Sequence, residues 1–249
     1  MIRIILGNVG SGKTARIVRE IIQNKSHRHY FSNIKTKKTK NNHLIDSSMI
    51  IKTHTEVPEG CRKPVTTYSL NVDFWKKTIK KYGAISVVID EAHTVMNSRK
   101  FNSKINIIMT DYLALIRRVL GQSSDGYGEL ILISQLSSRL DVIARSMATA
   151  VHYHVCHYQK TCLKCGYTWQ EHNEVPETCW NCPKCNSTRI KKHNHIIEVW
   201  HFKDMQIYEN WKLYGMKTYH RHYFIKDIED YFSNYDTMQW DNMISEYSK

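Results

Sequence analysis

Gly7-Asn8-Val9-Gly10-Ser11-Gly12-Lys13-Thr14 fits G-x-x-x-x-G-K-[ST] without a mismatch, and this octet decides the fold. Its glycines let the chain turn back so that successive backbone N–H groups point at phosphate oxygens, and the following helix adds its N-terminal dipole. Lys13 is placed to reach the β and γ phosphates, and the Thr14 hydroxyl to ligate Mg²⁺. The flanks agree with this reading. Ile2 to Leu6 is a β-branched run that ends at glycine, and Ile17, Val18, Ile21 and Ile22 recur at helical spacing between Lys13 and Gln23. Strand, loop and helix follow one another as a phosphate-binding unit requires, whereas a plain glycine turn needs no such flanks.

A nucleotide site also needs an acidic element. Ile85 to Ile89 is a near-continuous apolar run, the pattern of a central parallel strand buried on both faces, and Asp90-Glu91-Ala92-His93 follows directly. Asp90 is expected to hold Mg²⁺ through a water, and Glu91 to orient and deprotonate the water that attacks the γ-phosphate. Capping of the next helix is the competing role for such a pair.

Elsewhere strands and helices alternate. Strands are expected at His29 to Ile34, Met49 to Lys52, Leu130 to Ile133, Ala148 to Tyr158 and His195 to Phe202. Helices are expected at Leu70 to Tyr82, closed by Gly83, and at Lys104 to Leu120, stopped by Gly121. Polar loops are expected at Lys35 to Asn42 and Ser123 to Gly128. Repeated strand and helix units imply an α/β fold with a parallel central sheet and right-handed crossovers.

Five of the seven cysteines crowd into one stretch. Cys162-Leu163-Lys164-Cys165 and Cys182-Pro183-Lys184-Cys185 have the spacing of a structural Zn²⁺ site, four thiolates leaving no open position for chemistry. Cys179 can stand in for Cys182, since it forms another C-x₂-C pair, although the Pro183 turn favours the first assignment. His152, His154, His157 and His172 are expected in strands or at the surface, not as ligands. The cysteine module falls at the tip of a C-terminal β-hairpin.

With 249 residues, 41% hydrophobic and 24% charged, only 4 Pro and 10 Gly, the composition is that of a globular chain and not of a disordered or repetitive one. The length suits one large domain with a small satellite, expected as a core over 1–158, an insertion over 159–192 and a completing segment over 193–249. The glycines in Met1 to Gly10 interrupt any signal peptide, and no apolar run is long enough to span a membrane, so a cytoplasmic protein is expected. The net charge of +13 is concentrated early, with 10 basic and 2 acidic residues in positions 1–50 against 6 and 8 in positions 201–249. Such a field suits a polyanion partner, and a basic surface that merely keeps the chain soluble is the competing reading.

These motifs together resemble the zonular-occludens-toxin-like ATPases of viruses and plasmids, within the HerA and FtsK group of P-loop motors. The early Gly7–Thr14 loop, Val88-Ile89-Asp90-Glu91-Ala92-His93, Ser134-Gln135 and Arg139 to Arg145 carry the resemblance over about residues 1–155, with a looser echo in Tyr235-Asp236-Thr237. It implies a RecA-like fold, and a γ-phosphate-sensing role for Gln135 beside Ser134. Asn33, in Ser32-Asn33-Ile34, looks like part of the family's second strand. It implies a homo-oligomeric ring, such as a hexamer, in which an arginine reaches the neighbour's phosphates, with Arg117, Arg118, Arg139 and Arg145 as candidates. Expected cofactors are ATP, Mg²⁺ and Zn²⁺; expected partners are double-stranded DNA and a capsid or portal component.

Rival readings are a zinc-containing thymidine kinase, a virion assembly or extrusion ATPase that does not bind DNA, a DEAH-type helicase, and a zinc-ribbon nucleic-acid binder with a decayed nucleotide fold. The kinase lacks a use for +13, and the stretch Ser137 to Arg145 does not look like its nucleoside-binding loop. The helicase needs a second RecA-like domain for which the chain after Asp90 is too short. Decay is at odds with the joint presence of Lys13, Thr14, Asp90 and Glu91.

Overall fold

The computed structural model describes residues 1–25, 27–37, 39–57, 59, 63–96, 108, 111–113, 120, 122–123, 126–174 and 180–236. Strand β1 (Ile2–Leu6) enters the phosphate loop and α1 (Lys13–Gln23) leaves it, as the flanks require. There follow β2 (His29–Ser32), β3 (Asn42–Leu44), a single turn α2 (Ser47–Ile50), β4 (Ile51–Glu56), β5 (Val65–Leu70), α3 (Val72–Tyr82) and β6 (Ile85–Ile89). Beyond lie β7 (Gln122–Ser123), β8 (Gly126–Tyr127), β9 (Glu129–Ile133), α4 (Val142–Ser146), β10 (Ala150–Cys162), β11 (Thr168–His172), β12 (Ile190–Phe202), α5 (Met205–Tyr214) and β13 (Arg221–Ile225).

Among the described residues one nine-stranded sheet runs β13-β12-β10-β1-β9-β6-β2-β3, with β11 paired to β10 off that path. The chain is thus mixed α/β. Every pairing from β10 across β1, β9, β6 and β2 to β3 is parallel, and β10 with β12 and β12 with β13 are antiparallel. Strands β6 and β9 are buried at every position, which explains sequences that are apolar but for Ser86 in β6 and Glu129 at the start of β9. They also put the C-terminal ends of β1, β9 and β6 side by side, where ligands of such sheets bind.

Four expectations need correction. The helix expected from Leu70 begins at Val72, because Val65–Leu70 pairs with Ile51–Glu56 as a separate hairpin and Asn71 caps the helix by accepting from the Phe74 N–H. The strand expected at Met49 to Lys52 is divided between α2 and β4, the Asp46 carboxylate capping the turn at Ser48. The loop expected over 35–42 ends in β3, a short polar edge strand that carries no alternating apolar signal. The strand expected to reach Ile34 stops at Ser32. The 104–120 helix, with Arg117 and Arg118, falls largely outside the described residues.

Strand β10 decides where the cysteine module lies. Its first part, Ala150 to Tyr153, pairs with β1, which ends there; its second part, His157 to Thr161, pairs with β11 in the place β1 has vacated. The module therefore rises from the same sheet edge as the phosphate loop.

Beneath that loop sits a buried polar network. Arg3 bridges Glu20 at 2.8 Å and Glu129 at 3.0 Å, Arg16 reaches Glu20 at 3.1 Å, and Arg16 Nη1 lies 2.7 Å from His154 Nε2. Because an arginine can only donate, His154 Nε2 accepts and the ring is neutral. Burial and the nearby Arg16 charge hold the pKa of both His154 and His152 far below the ordinary histidine value. The unfolded chain takes up a proton at each as pH falls below about 6.5, and the folded chain does not, so stability is lost in that direction. The loss is expected to approach 1.4 kcal/mol per histidine per pH unit. Thermal denaturation at pH 7 and pH 5 should show a lower melting temperature at pH 5, and His154→Gln should shrink that difference; an unchanged difference would refute the assignment.

Candidate functional site

The phosphate loop has the backbone its glycines were chosen for. Gly7 has φ +148° and a Cβ there would lie 2.5 Å from the His154 carbonyl oxygen, while at Gly12, φ +78°, it would lie 2.4 Å from Ile197 Cδ1. The loop is thereby seated on β10 and β12. Lys13 folds into it, Nζ donating to the Gly7 and Asn8 carbonyls at 2.8 and 2.9 Å. Burial lowers the Lys13 pKa, and the Asp90 and Glu91 charges oppose that effect. A desolvated ammonium held by two carbonyls and, at 3.4 Å, the Ser11 hydroxyl gains from an anion brought beside it.

The acidic end of β6 meets the loop directly. Thr14 Oγ1 donates to Asp90 Oδ2 at 2.7 Å. Asn33, just past β2, clasps the Asp90 backbone twice, accepting from its N–H at 2.7 Å and donating to its C=O at 2.9 Å. Burial raises the Asp90 pKa, countered by the Thr14 hydroxyl.

Glu91 takes a left-handed conformation, φ 51° and ψ 45°, which is uncommon for a residue with a Cβ and marks a position held by its surroundings. Its Oε1 accepts from Gln135 Nε2 at 3.2 Å, and its Oε2 stands 3.2 Å from His93 Nδ1. The competing role as a helix cap fails here, since the Glu91 side chain makes no cap hydrogen bond to the short helical turn that follows. The carboxylate lies instead between Gln135, just past β9, and His93.

Of the arginines, Arg139 is exposed, and Arg145 is tied to Glu209 of its own chain at 3.2 Å. Two features of the site carry no sequence motif. Asn173, at the end of β11, donates to the Val9 carbonyl at 3.3 Å and accepts from the Cys156 N–H at 2.7 Å, so the cysteine module touches the phosphate loop. Tyr235 bridges to Thr36, and burial with the nearby Asp90 charge pushes its pKa up to about 12. Only the Tyr235-Asp236-Thr237 echo hinted at it, and Thr237 lies outside the described residues.

The cysteine centre is built from two equivalent knuckles. Gly166 N–H donates to the Cys162 carbonyl at 2.9 Å and Asn186 N–H to the Cys182 carbonyl at 2.8 Å, both donors in left-handed conformations. Cys162 N–H then bonds Tyr167 O, and Cys182 N–H bonds Ser187 O, in the same pattern. The four sulfurs of Cys162, Cys165, Cys182 and Cys185 lie within 4.8 Å of one another, with two pairs at 3.6 Å. Cys179 lies outside the described residues, but the matching turns favour Cys182 as the start of the second knuckle.

The model of the zonular occludens toxin (Zot) family matches residues 1–199. The chain belongs to this family. Among solved structures, it is similar to the N-terminal domain of zonular occludens toxin from Neisseria meningitidis, at 16% identity over 94% of this chain and 98% of that one, TM-score 0.47. It is also similar to the genome packaging NTPase B204 of Sulfolobus turreted icosahedral virus 2, at 22% identity over 61% of this chain and 74% of that one, TM-score 0.35. A comparison with curated protein sequences finds no match. The Zot match spans the phosphate loop, the Asp90-Glu91 end of β6, Gln135 and both knuckles.

Proposed function

We propose that this Zot-family chain is a Mg²⁺-dependent, RecA-like ATPase of the HerA and FtsK group, acting as a homo-oligomeric ring, such as a hexamer, that translocates or packages viral or plasmid double-stranded DNA. The observation that carries the reading is the joined set of Thr14, Asp90, Asn33, Glu91 and Gln135 around the loop of Gly7 to Thr14. The under-compensated Lys13 ammonium fits a nucleotide phosphate, and the Thr14–Asp90 pair fits Mg²⁺. Bound ATP with Mg²⁺ supplies a phosphoanhydride bond and the divalent charge that makes its cleavage accessible. Lys13 neutralises phosphate charge, and the loop N–H groups of Gly7, Asn8, Val9, Gly10, Ser11 and Gly12 line it. Glu91 accepts the proton of the attacking water, and Gln135 holds Glu91 in place and reports the γ-phosphate.

Arg139 is the described candidate best placed to act on a neighbouring subunit, since Arg145 is already paired. The domain division proposed is 1–158 for the ATPase core, 159–192 for a zinc-ribbon insertion in the β10–β12 hairpin, and 193–249 for the segment that completes the sheet. A tetrahedral Zn²⁺ with Zn–S of about 2.3 Å sets its sulfurs about 3.8 Å apart, which the knuckles match closely enough to hold a structural ion. Among the described residues no helix is long and apolar enough to cross a membrane, and the proposed work is cytoplasmic, with a capsid or portal component as a further partner.

The DNA path is proposed along Lys35, Lys37 and Lys40, exposed after β2, with Lys38 outside the described residues. Each phosphate contact adds roughly 0.9 to the slope of log K against log salt for duplex DNA, so replacing all four lysines by Gln should flatten that slope by up to about 3 to 4. DNA-free ATP turnover should stay nearly constant. An unchanged slope would return the loop to a solvated surface and favour an assembly or extrusion ATPase that never holds DNA.

A further inference from the structure

The knuckles carry a surface that a purely structural zinc site does not need. Trp180 is 73% exposed, Leu163 is 64% exposed and Tyr167 is 42% exposed, all within the cysteine module. Tyr167 and Trp169 stack at 5.9 Å with an interplanar angle of 22°, so β11 begins at a short aromatic pile whose outer ring is open. The inner ring is fixed, Trp169 Nε1 donating to Glu171 Oε1 at 2.7 Å. Trp180 makes no ring contact and no hydrogen bond among the described residues.

Basic side chains accompany these rings at matching places. Lys164 and Lys184 occupy the same position in the two knuckles, and both are exposed, as are Arg189 just before β12 and Lys191 within it. The acidic residues described in the module are already engaged: Glu171 pairs with Lys160 at 2.8 Å, and Glu174 with Lys212 at 3.4 Å and the Tyr153 hydroxyl at 2.6 Å. Among the described residues the outward charge of the tip is therefore positive.

We infer that the tip of the cysteine module, Tyr167 and Trp180 with Lys164 and Lys184, is a binding surface for single-stranded nucleic acid. Open rings offer stacking faces that only unpaired bases can use, and lysines beside them meet the backbone phosphates. Duplex DNA, its bases already stacked inside the helix, gains only the charge contacts. This goes beyond the motor reading and rests on it only for the zinc that fixes the knuckles. Since Asn173 joins the same module to Val9 of the phosphate loop, a strand held at the tip lies on an arm in contact with the nucleotide site.

The test is fluorescence anisotropy of a labelled oligothymidine of about twenty nucleotides, and of a duplex of the same length, with the full zinc-loaded chain and no nucleotide. The double variant Tyr167→Ala with Trp180→Ala should lose about 10-fold or more in affinity for the single strand and little for the duplex. Lys164→Gln with Lys184→Gln should reduce the salt slope for the single strand by about 1.4. Zinc content and DNA-free ATP turnover, measured on each variant, distinguish loss of this surface from loss of the metal site or of the motor reading. Wild-type protein that fails to bind the single strand, or binding unchanged in both variants at normal zinc content, would overturn the proposal.

Discussion

Glu91→Gln is expected to bind ATP with near wild-type affinity and to hydrolyse it about 10²- to 10⁴-fold more slowly, the usual contribution of a positioned general base. The substitution keeps the shape of the side chain and an oxygen for Gln135 Nε2, which now stands 3.2 Å from Glu91 Oε1, and removes only the proton acceptor. Lys13→Ala should behave differently, losing nucleotide binding as well as turnover, because it deletes the ammonium packed against the Gly7 and Asn8 carbonyls. Equilibrium binding of a fluorescent ATP analogue, read beside single-turnover phosphate release, separates the two. Wild-type hydrolysis by Glu91→Gln would show that another group takes the proton.

The second large effect is at the knuckles. Purified chain should carry about one zinc, and Cys162→Ser with Cys185→Ser should carry none, since two ligands cannot hold a structural ion. Apparent binding free energies of roughly 10–16 kcal/mol for such sites exceed what a module of this size secures by burial alone, so its turns should lose order. The parallel sheet should survive, because the β10 pairing with β1 involves only Arg3–Leu6 and Ala150–Tyr153, well before Cys162. Metal analysis and amide exchange check the two statements, and equal zinc in the double variant would sink the site.

Sequence pattern was informative where local chemistry is self-contained. The phosphate loop, the buried β6 and β9 and the C-x₂-C pairs each announce themselves, since glycine placement, near-continuous apolar runs and thiol spacing follow from the geometry they serve. Family resemblance added Asn33 and Gln135, whose partners Asp90 and Glu91 are far away in the chain. Polar edge elements were not legible: β3 and the β4–β5 hairpin bury little and leave no strong period. Nor were Asn173 and the Arg16–His154 contact, because a single long-range hydrogen bond has no sequence period at all. The arrangement that places the cysteine module above the phosphate loop depends on β10 outrunning β1, a difference in strand length that composition does not encode.

The most direct test of the account is steady-state phosphate release by the wild-type chain with Mg²⁺ and ATP, with and without duplex DNA, at about 50 mM and about 200 mM salt. Hydrolysis well above that of Lys13→Ala is predicted in all four conditions, with DNA stimulating it strongly at the lower salt and weakly at the higher. Equal rates with and without DNA at low salt would keep the hydrolase and contradict the DNA motor. Release no faster than that of Lys13→Ala would contradict the account as a whole.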